Sequence, residues 1–185
     1  MGRLQHRTAP GCTYFVTTKT WANRSLFRVP AAAKIVIEVL LRHRDAGAYL
    51  LHEFVVMADH VHVLLTPGQT TTLERAMQLI KGGSSYEIHK QRQNRLEIWQ
   101  PGFHEQTVRD ARDFQCKVEY IRMNPVEAKL VETPEPWPSS SAGSRFKLDE
   151  IPKGLASGAK APEAGAAVLS GLKPRPPIGT MRGNR

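Results

Sequence analysis

The sequence predicts an α+β domain of the ferredoxin-like type, in which helices pack on an antiparallel sheet. Segments with strand-like and helix-like patterns follow one another as strand, helix, strand, strand, helix, strand, with a third helix after them. The first six elements in this order match the split βαβ arrangement of ferredoxin-like folds. The chain has 185 residues and is 41% apolar, which is enough for one core and a tail.

Each predicted element has its own local signal. Strands are assigned to short runs rich in β-branched and aromatic residues, and helices to apolar residues that recur every three or four positions. Pro30 suits the first turn of a helix, and Thr72 and Asp110 are typical N-caps. The predicted strands span 13–18, 48–57, 60–66 and 104–108, and the predicted helices span 31–44, 73–94 and 110–124.

Glycine and proline are expected to limit these elements. Ala58-Asp59 forms a tight turn, so the second and third strands make a hairpin. Gly82-Gly83 should interrupt or bend the second helix. Asn124-Pro125 should end the third helix, because proline disfavours the helical conformation of the residue before it.

The composition changes after residue 141. The last 44 residues contain seven glycines and five prolines and show little apolar periodicity. More than half of the formal net charge of +9 lies in them. We therefore expect a folded domain over 1–141 and a flexible, basic Gly/Pro/Ala-rich tail over 142–185 that is disordered. The basic balance suits a polyanion such as nucleic acid.

Several classes of protein are excluded by what the sequence lacks. It has no apolar run of 18 residues, so we expect no membrane span. The N-terminus does not resemble a secretory signal. The cysteines Cys12 and Cys116 form neither a CxxC motif nor a disulfide framework. These features are typical of a protein of the reducing cytoplasm.

His60 and His62 are candidate metal ligands on the third strand. Side chains alternate along a strand, so both imidazoles lie on one face, while Val61, Val63 and Leu65 face a core on the other. Two neighbouring imidazoles provide half of a divalent-metal site. A lone His-x-His motif is nevertheless more typical of ordinary strand histidines, so it needs further ligands to support the metal interpretation.

The third helix offers a possible second half of the site. Phe114, Val118 and Ile121 form an apolar stripe for packing on the sheet. An adjacent face carries Lys117, Tyr120 and Asn124, which are a cation, a phenol and an amide. If that face covers the histidines, Asn124 supplies a third ligand, and the set suits Mg²⁺ or Mn²⁺.

Structural roles explain the same residues. A tyrosine beside an apolar stripe is usually a packing residue, and an asparagine before proline usually ends a helix. Periodicity alone therefore favours the structural interpretation. A basic cluster along the second helix is either a phosphate-binding surface or a solvated face, and it consists of Lys81, Lys90, Arg92 and Arg95.

Three motifs in order resemble one known family. They are His60-Val61-His62, the WQPGF sequence at 99–103 and the YIRMNPV sequence at 120–126. Together they resemble the single-tyrosine HUH transposases of the IS200-like group, and most closely the REP-associated tyrosine transposases. The resemblance covers about residues 13–141, and the tail has no counterpart in it.

The resemblance implies roles for individual residues. His60 and His62 match the metal ligands, Tyr120 matches the nucleophile, and Asn124 matches a third ligand that related transposases more often supply as glutamine. It also implies an RRM-like sheet with helices on one face. Lys81, Arg92, Lys117 and Arg122 are then candidate contacts to the DNA backbone.

The implied activity is metal-dependent cleavage and rejoining of a single-stranded DNA hairpin through a covalent 5′-phosphotyrosine. The cofactor is expected to be Mg²⁺ or Mn²⁺, and the resemblance favours a monomer over a dimer. Two alternatives stay open from the residues themselves. One is a non-catalytic RRM-like nucleic-acid-binding protein, and the other is a metal-dependent nuclease that uses water as its nucleophile.

Overall fold

The computed structural model of the chain describes residues 8, 9, 11–93, 95–143 and 145–156. All four predicted strands and all three predicted helices are present, with ends that lie within three residues of the predicted ones. Two short 3₁₀ turns follow the first strand. The elements are β1 (Tyr14–Lys19), the turns Trp21–Asn23 and Leu26–Arg28, α1 (Pro30–Asp45), β2 (Tyr49–Val56), β3 (His60–Pro67), α2 (Leu73–Arg92), β4 (His104–Thr107), α3 (Ala111–Glu127) and α4 (Lys153–Ala156).

The four strands form one antiparallel sheet in the order β2-β3-β1-β4. β1 and β3 are therefore the central strands, and the hairpin of β2 and β3 lies on one side. This is the strand order of the predicted ferredoxin-like unit, and it confirms the expected fold class.

The sheet is covered on both faces. On one face, Val61, Val63 and Leu65 of β3 pack in the larger core with α1 and α2. On the other face, Phe15 and Leu64 pack with α3 in a second core. The expectation of helices on one face only is therefore wrong, because the apolar stripe of α3 buries the face that α1 and α2 leave open.

Gly82-Gly83 does not interrupt α2, contrary to the prediction. The helix runs without a break from Leu73 to Arg92. A Cβ atom on Gly83 would lie 3.1 Å from Val39 Cγ1 of α1 and 3.4 Å from His43 Nε2. Gly83 thus allows α1 and α2 to approach closely, and this packing offsets the low helix propensity of glycine.

Pro125 does not end α3 at Asn124, which is a second correction. The helix continues to Glu127 with the proline inside it. The chain then leaves the helix through Lys129, whose φ is 57°. The amides of Lys129 and Leu130 donate to the carbonyls of Val126 and Pro125, at 2.8 and 2.9 Å. This pair of hydrogen bonds forms a Schellman motif, which ends the helix after the proline.

The domain also extends beyond residue 141, so the predicted tail begins too early. Ser139 O accepts from Val56 N at 2.8 Å, and Ser141 N donates to Phe54 O at 3.1 Å, so the chain covers the edge of β2. Asp149 then accepts from Leu51 N at 2.8 Å. These contacts hold the chain as far as Asp149, because an edge strand has unpaired backbone groups to offer, and Leu155 is buried in the second core. The remainder of the predicted tail lies outside the described residues.

No helix in the described part of the chain is long and apolar enough to cross a membrane. The longest one, α2, has 20 residues, but it carries charged and polar side chains along its length.

We predict that the fold loses stability in mild acid partly through His52. This buried side chain binds Thr66 Oγ1 at 2.8 Å and the Asp149 carbonyl at 3.0 Å, and burial lowers its pKa below the ordinary value of 6.5. The unfolded chain then binds more protons than the folded chain below that pH, so stability is present at neutral pH and falls as the pH drops through 6.5.

Urea unfolding between pH 7.5 and 5.5 measures this effect. His52→Gln should lose less stability over that range than the unaltered protein, because glutamine does not titrate. An equal loss in both proteins would contradict the assignment to His52.

Candidate metal and nucleophile site

His60 and His62 lie at the start of the central strand β3 and are directed to the α3 face of the sheet. Their ring centroids are 4.8 Å apart. Their partners on the neighbouring strand are Lys19 and Thr17, which project from the same face. The structure therefore confirms that the two imidazoles are neighbours on a rigid strand.

Both imidazoles are held through Nδ1. The Nδ1 atom of His62 lies 2.8 Å from Thr17 Oγ1, and that of His60 lies 2.7 Å from Asp59 Oδ1. With the proton on Nδ1, each Nε2 keeps a lone pair, which is the usual arrangement of metal-binding histidines. The hydrogen bond to His60 is the main reason that the pKa of Asp59 lies below its usual range.

Sequence reasoning did not identify Thr17 or Asp59 as part of the site. Asp59 could have been found because it directly precedes His60. Thr17 could not, because its position opposite His62 depends on the register of β1 against β3.

His62 is the more enclosed of the two histidines. It is 3% exposed, and its ring stacks on Phe15 with centroids 5.3 Å apart. Burial holds its pKa well below the ordinary value, and electrostatic interactions with His60 and Lys19 act in the same direction. The ring is thus a neutral imidazole at neutral pH.

Tyr120 of α3 faces this histidine. Its ring centroid lies 5.4 Å from that of His62 and 5.6 Å from that of Phe15, in edge-on contact with both. Burial raises the pKa of Tyr120, and the negative charge of Glu127 raises it further. A hydrogen bond from Asn124 acts in the opposite direction. The phenol is therefore well placed beside the histidines but protonated at neutral pH.

Asn124 lies one helical turn after Tyr120 and is 8% exposed. Its side chain acts to lower the pKa of Tyr120, and an amide carries both N–H donors and a carbonyl oxygen that can accept or bind a cation. No cluster of three His, Cys, Asp or Glu side chains that could hold a metal occurs in the described residues. Asn124 offers an amide oxygen as a candidate third ligand beside the histidine pair.

Lys117 lies at the edge of the same group. Its ammonium donates to Gln106 Oε1 at 2.6 Å and lies 5.2 Å from the ring centroid of Phe15, the residue that touches both His62 and Tyr120. Of the four residues expected to contact DNA, Lys117 is the one that the ring of Phe15 connects to the histidines and the tyrosine.

Lys81 and Arg92 lie elsewhere. The Lys81 ammonium donates to the carbonyls of Gln100 and Gly102, at 2.7 and 2.5 Å, and so fixes the turn of the WQPGF motif. Burial lowers the pKa of Lys81 to about 8. Arg92, at the end of α2, lines a surface cleft together with residues that follow β1.

Arg122 has a structural partner. Its guanidinium binds Glu53 Oε2 at 2.9 Å, and the Glu53 side chain is 1% exposed. Ser141 donates a short hydrogen bond to the other oxygen of the same carboxylate. Because 46% of the Arg122 side chain is exposed, it is still accessible to DNA. A DNA contact by Arg122 stays a prediction.

We predict that Arg122→Met destabilises the fold by about 3 kcal/mol, because it leaves a buried carboxylate without its cation. Adding Glu53→Gln should restore most of this loss, since a neutral amide tolerates burial better. Chemical unfolding of the single and double variants measures both effects. Equal stability of the Arg122→Met variant and the unaltered protein would show that the ion pair is unimportant. The affinity of the double variant for DNA then reports any separate role of Arg122.

Comparisons with known proteins point to one family. The sequence model of the family described as "Transposase IS200 like" matches residues 10–124, which is more than half of the chain. A REP-associated tyrosine transposase of Escherichia coli is 27% identical over 132 residues, which cover 71% of this chain and 76% of that protein. A related protein of Haemophilus influenzae, named for the same group, is 27% identical over 108 residues. That match covers 53% of this chain and 61% of the Haemophilus protein's length.

A solved structure shows the same fold. The REP-associated tyrosine transposase that was determined bound to a REP hairpin superimposes with a TM-score of 0.64. The match covers 92% of this chain and all of that one, at 21% sequence identity.

Proposed function

Because the chain belongs to the IS200-like transposase family, we propose that it cuts and rejoins single-stranded DNA with Tyr120 as the nucleophile. The proposed substrate is a strand folded into a hairpin of the REP type, and the biological outcome is DNA transposition. The REP-bound relative supports this choice of substrate, since the two chains share a fold.

One observation carries the proposal. The Tyr120 ring centroid lies 5.4 Å from that of His62, and Asn124 follows Tyr120 by one turn of the same helix. A tyrosine with only a packing role would not need to lie beside a pair of histidines whose Nδ1 atoms are both fixed by polar partners. The arrangement instead suits a phenol that meets a phosphate bound at the histidines.

We also propose that His60, His62 and Asn124 hold Mg²⁺ or Mn²⁺. Two imidazoles whose rings are fixed, together with a buried amide oxygen, fit such an ion better than a closed zinc site. When bound, the ion supplies positive charge that stabilises the charge developing on the transferred phosphate.

The chain's own residues account for the covalent step. Tyr120 gives up its phenolic proton, and the phenolate oxygen forms a bond to phosphorus. The bond between phosphorus and the 3′ oxygen breaks, and that oxygen takes up a proton to become a 3′-OH. The 5′ end stays attached to Tyr120 as a phosphotyrosine. A second 3′-OH attacks this linkage, restores the phenol and rejoins the strand, so the exchange needs no external energy source.

Two features of the structure bear on how the strand is held. Lys117 provides a cation beside the ring cluster and suits a backbone phosphate. Helix α3 covers the sheet face that α1 and α2 leave open, so an RRM-like protein that binds nucleic acid on its open sheet is a poorer fit. Action as a monomer in the cytoplasm remains part of the proposal.

Tyr120→Phe should abolish both strand cleavage and the covalent adduct, by roughly 10³-fold or more, because the nucleophilic oxygen is removed. The assay is a denaturing gel of a labelled hairpin oligonucleotide incubated with the protein and Mg²⁺ or Mn²⁺. Tyr86→Phe is the matched control, since Tyr86 is 65% exposed on α2 and should cut normally.

The same gel separates the alternatives. Cleavage that survives Tyr120→Phe would mean that water is the nucleophile, as in a metal-dependent nuclease. Binding by the unaltered protein without any cleavage would favour a non-catalytic nucleic-acid-binding protein.

Thr17→Val should weaken Mn²⁺ binding about 10–100-fold, because His62 loses the hydrogen bond that orients its ring. Thr18→Val is a control of identical chemistry on the opposite face of β1. The Thr18 hydroxyl is buried without a hydrogen-bond partner, so its removal should leave metal binding unchanged and should not lower stability. Calorimetric titration of both variants with Mn²⁺ measures the difference. Equal affinities would contradict the proposed histidine site.

A further inference from the structure

A surface cleft of about 270 Å³ lies between the chain that follows β1 and the chain that follows α2. We call it the Arg24–Arg92 cleft. Its volume is just below the range of about 300–1,000 Å³ typical of pockets for drug-sized ligands, so it suits a smaller group. It is lined by Arg24, Ser25, Leu26, Val29, Arg92, Leu96 and Ile98.

The lining combines apolar surface with cationic groups. Four of the seven residues are aliphatic, and two of these, Val29 and Leu96, are 45% and 55% exposed. The charged residues in the lining are both arginines, and neither pairs with a carboxylate in the described part of the chain. An apolar wall beside two guanidinium groups matches a flat aromatic base with its attached phosphate.

Arg24 is held in place by both sides of the cleft. Its Nε donates to the Trp21 carbonyl at 3.2 Å, and its terminal nitrogen donates to the Glu97 carbonyl. These bonds use part of the five-donor guanidinium fork and leave the remaining N–H groups for an anion. Arg92, at the last position of α2, lines the same cleft, and no ion pair or side-chain hydrogen bond holds it to the described part of the chain.

The cleft is joined to the histidine site through Thr20. The Thr20 hydroxyl contacts the carbonyls of Arg24 and Asp59, at 2.7 and 3.1 Å, and the Thr20 amide donates to the Asp59 carbonyl at 2.9 Å. The carboxylate of the same aspartate holds His60. The wall of the cleft is therefore attached to the residue that orients a proposed metal ligand.

We propose that the Arg24–Arg92 cleft binds one unstacked nucleotide of the single-stranded DNA that flanks the cleaved phosphate. The base lies against Leu96 and its apolar neighbours, and the phosphate lies between the two guanidinium groups. This inference rests on the proposed function for its substrate. In this proposal, the cleft determines which flanking nucleotide is bound while the phosphate lies at Tyr120.

The test combines a cleft variant with a scan of the DNA. Each nucleotide that flanks a labelled hairpin is replaced in turn by an abasic site, and affinity is measured by fluorescence anisotropy. In the unaltered protein, one flanking position should lose about tenfold in affinity when its base is removed. In Leu96→Asn, the intact DNA should bind about tenfold more weakly, and removal of that same base should have no further effect.

Leu50→Asn is the matched control, because Leu50 is a 44% exposed leucine on β2, and it should keep the abasic profile of the unaltered protein. A second pair of variants tests the phosphate. Arg92→Gln should reduce the slope of log K against log salt by about 0.7, as expected for one lost contact to a single strand. Arg75→Gln removes the same charge about 25 Å away along α2 and should leave the slope unchanged.

Adduct formation, followed in parallel, separates the two proposals. If Leu96→Asn shows the same abasic profile as the unaltered protein, or if no flanking base matters, the cleft proposal is overturned even when the adduct forms. If the base effect depends on Leu96 but no adduct forms, the cleft proposal stands and the catalytic one fails.

Discussion

The antiparallel register of β1 against β3 is the constraint on which the site depends. It places Thr17 opposite His62 and Lys19 opposite His60, so β3 provides the two imidazoles and β1 provides the hydroxyl that holds His62. A slip of one residue would turn both histidines into the larger core and would direct Val61 and Val63 to the α3 face. The apolar residues that fill the two cores therefore also fix the faces on which the polar chemistry occurs.

The position of Tyr120 has an electrostatic consequence. The contacts with Phe15 and His62 that aim the phenol at the site also bury it, and burial raises its pKa. The folded protein alone thus favours the neutral phenol, which is a poor nucleophile. A cation bound at the histidines would lower the pKa of the phenol again. The ionisation of Tyr120 therefore depends on what binds at the histidines beside it.

The chain after α3 supports the helix that carries the tyrosine. Ser141 and Arg122 both bind the buried carboxylate of Glu53, so the edge strand β2, the C-terminal segment and α3 meet at one polar point. Asp149 extends the attachment by pairing with Arg44 of α1 at 2.8 Å. Asp149, which lies in the predicted tail, is in this way part of the folded framework.

The sequence by itself determined the order of elements, the shared face of His60 and His62, and the spacing that puts Tyr120 and Asn124 on one side of a helix, because these features follow from local periodicity. Contacts between distant segments decided the rest. The continuity of α2 depends on Val39 packing against Gly83, and the place of Thr17 depends on strand register. Pairing with β2 fixes the end of the domain. No local pattern encodes such contacts, since each partner lies far away in the chain and is chosen by the packing of the whole fold.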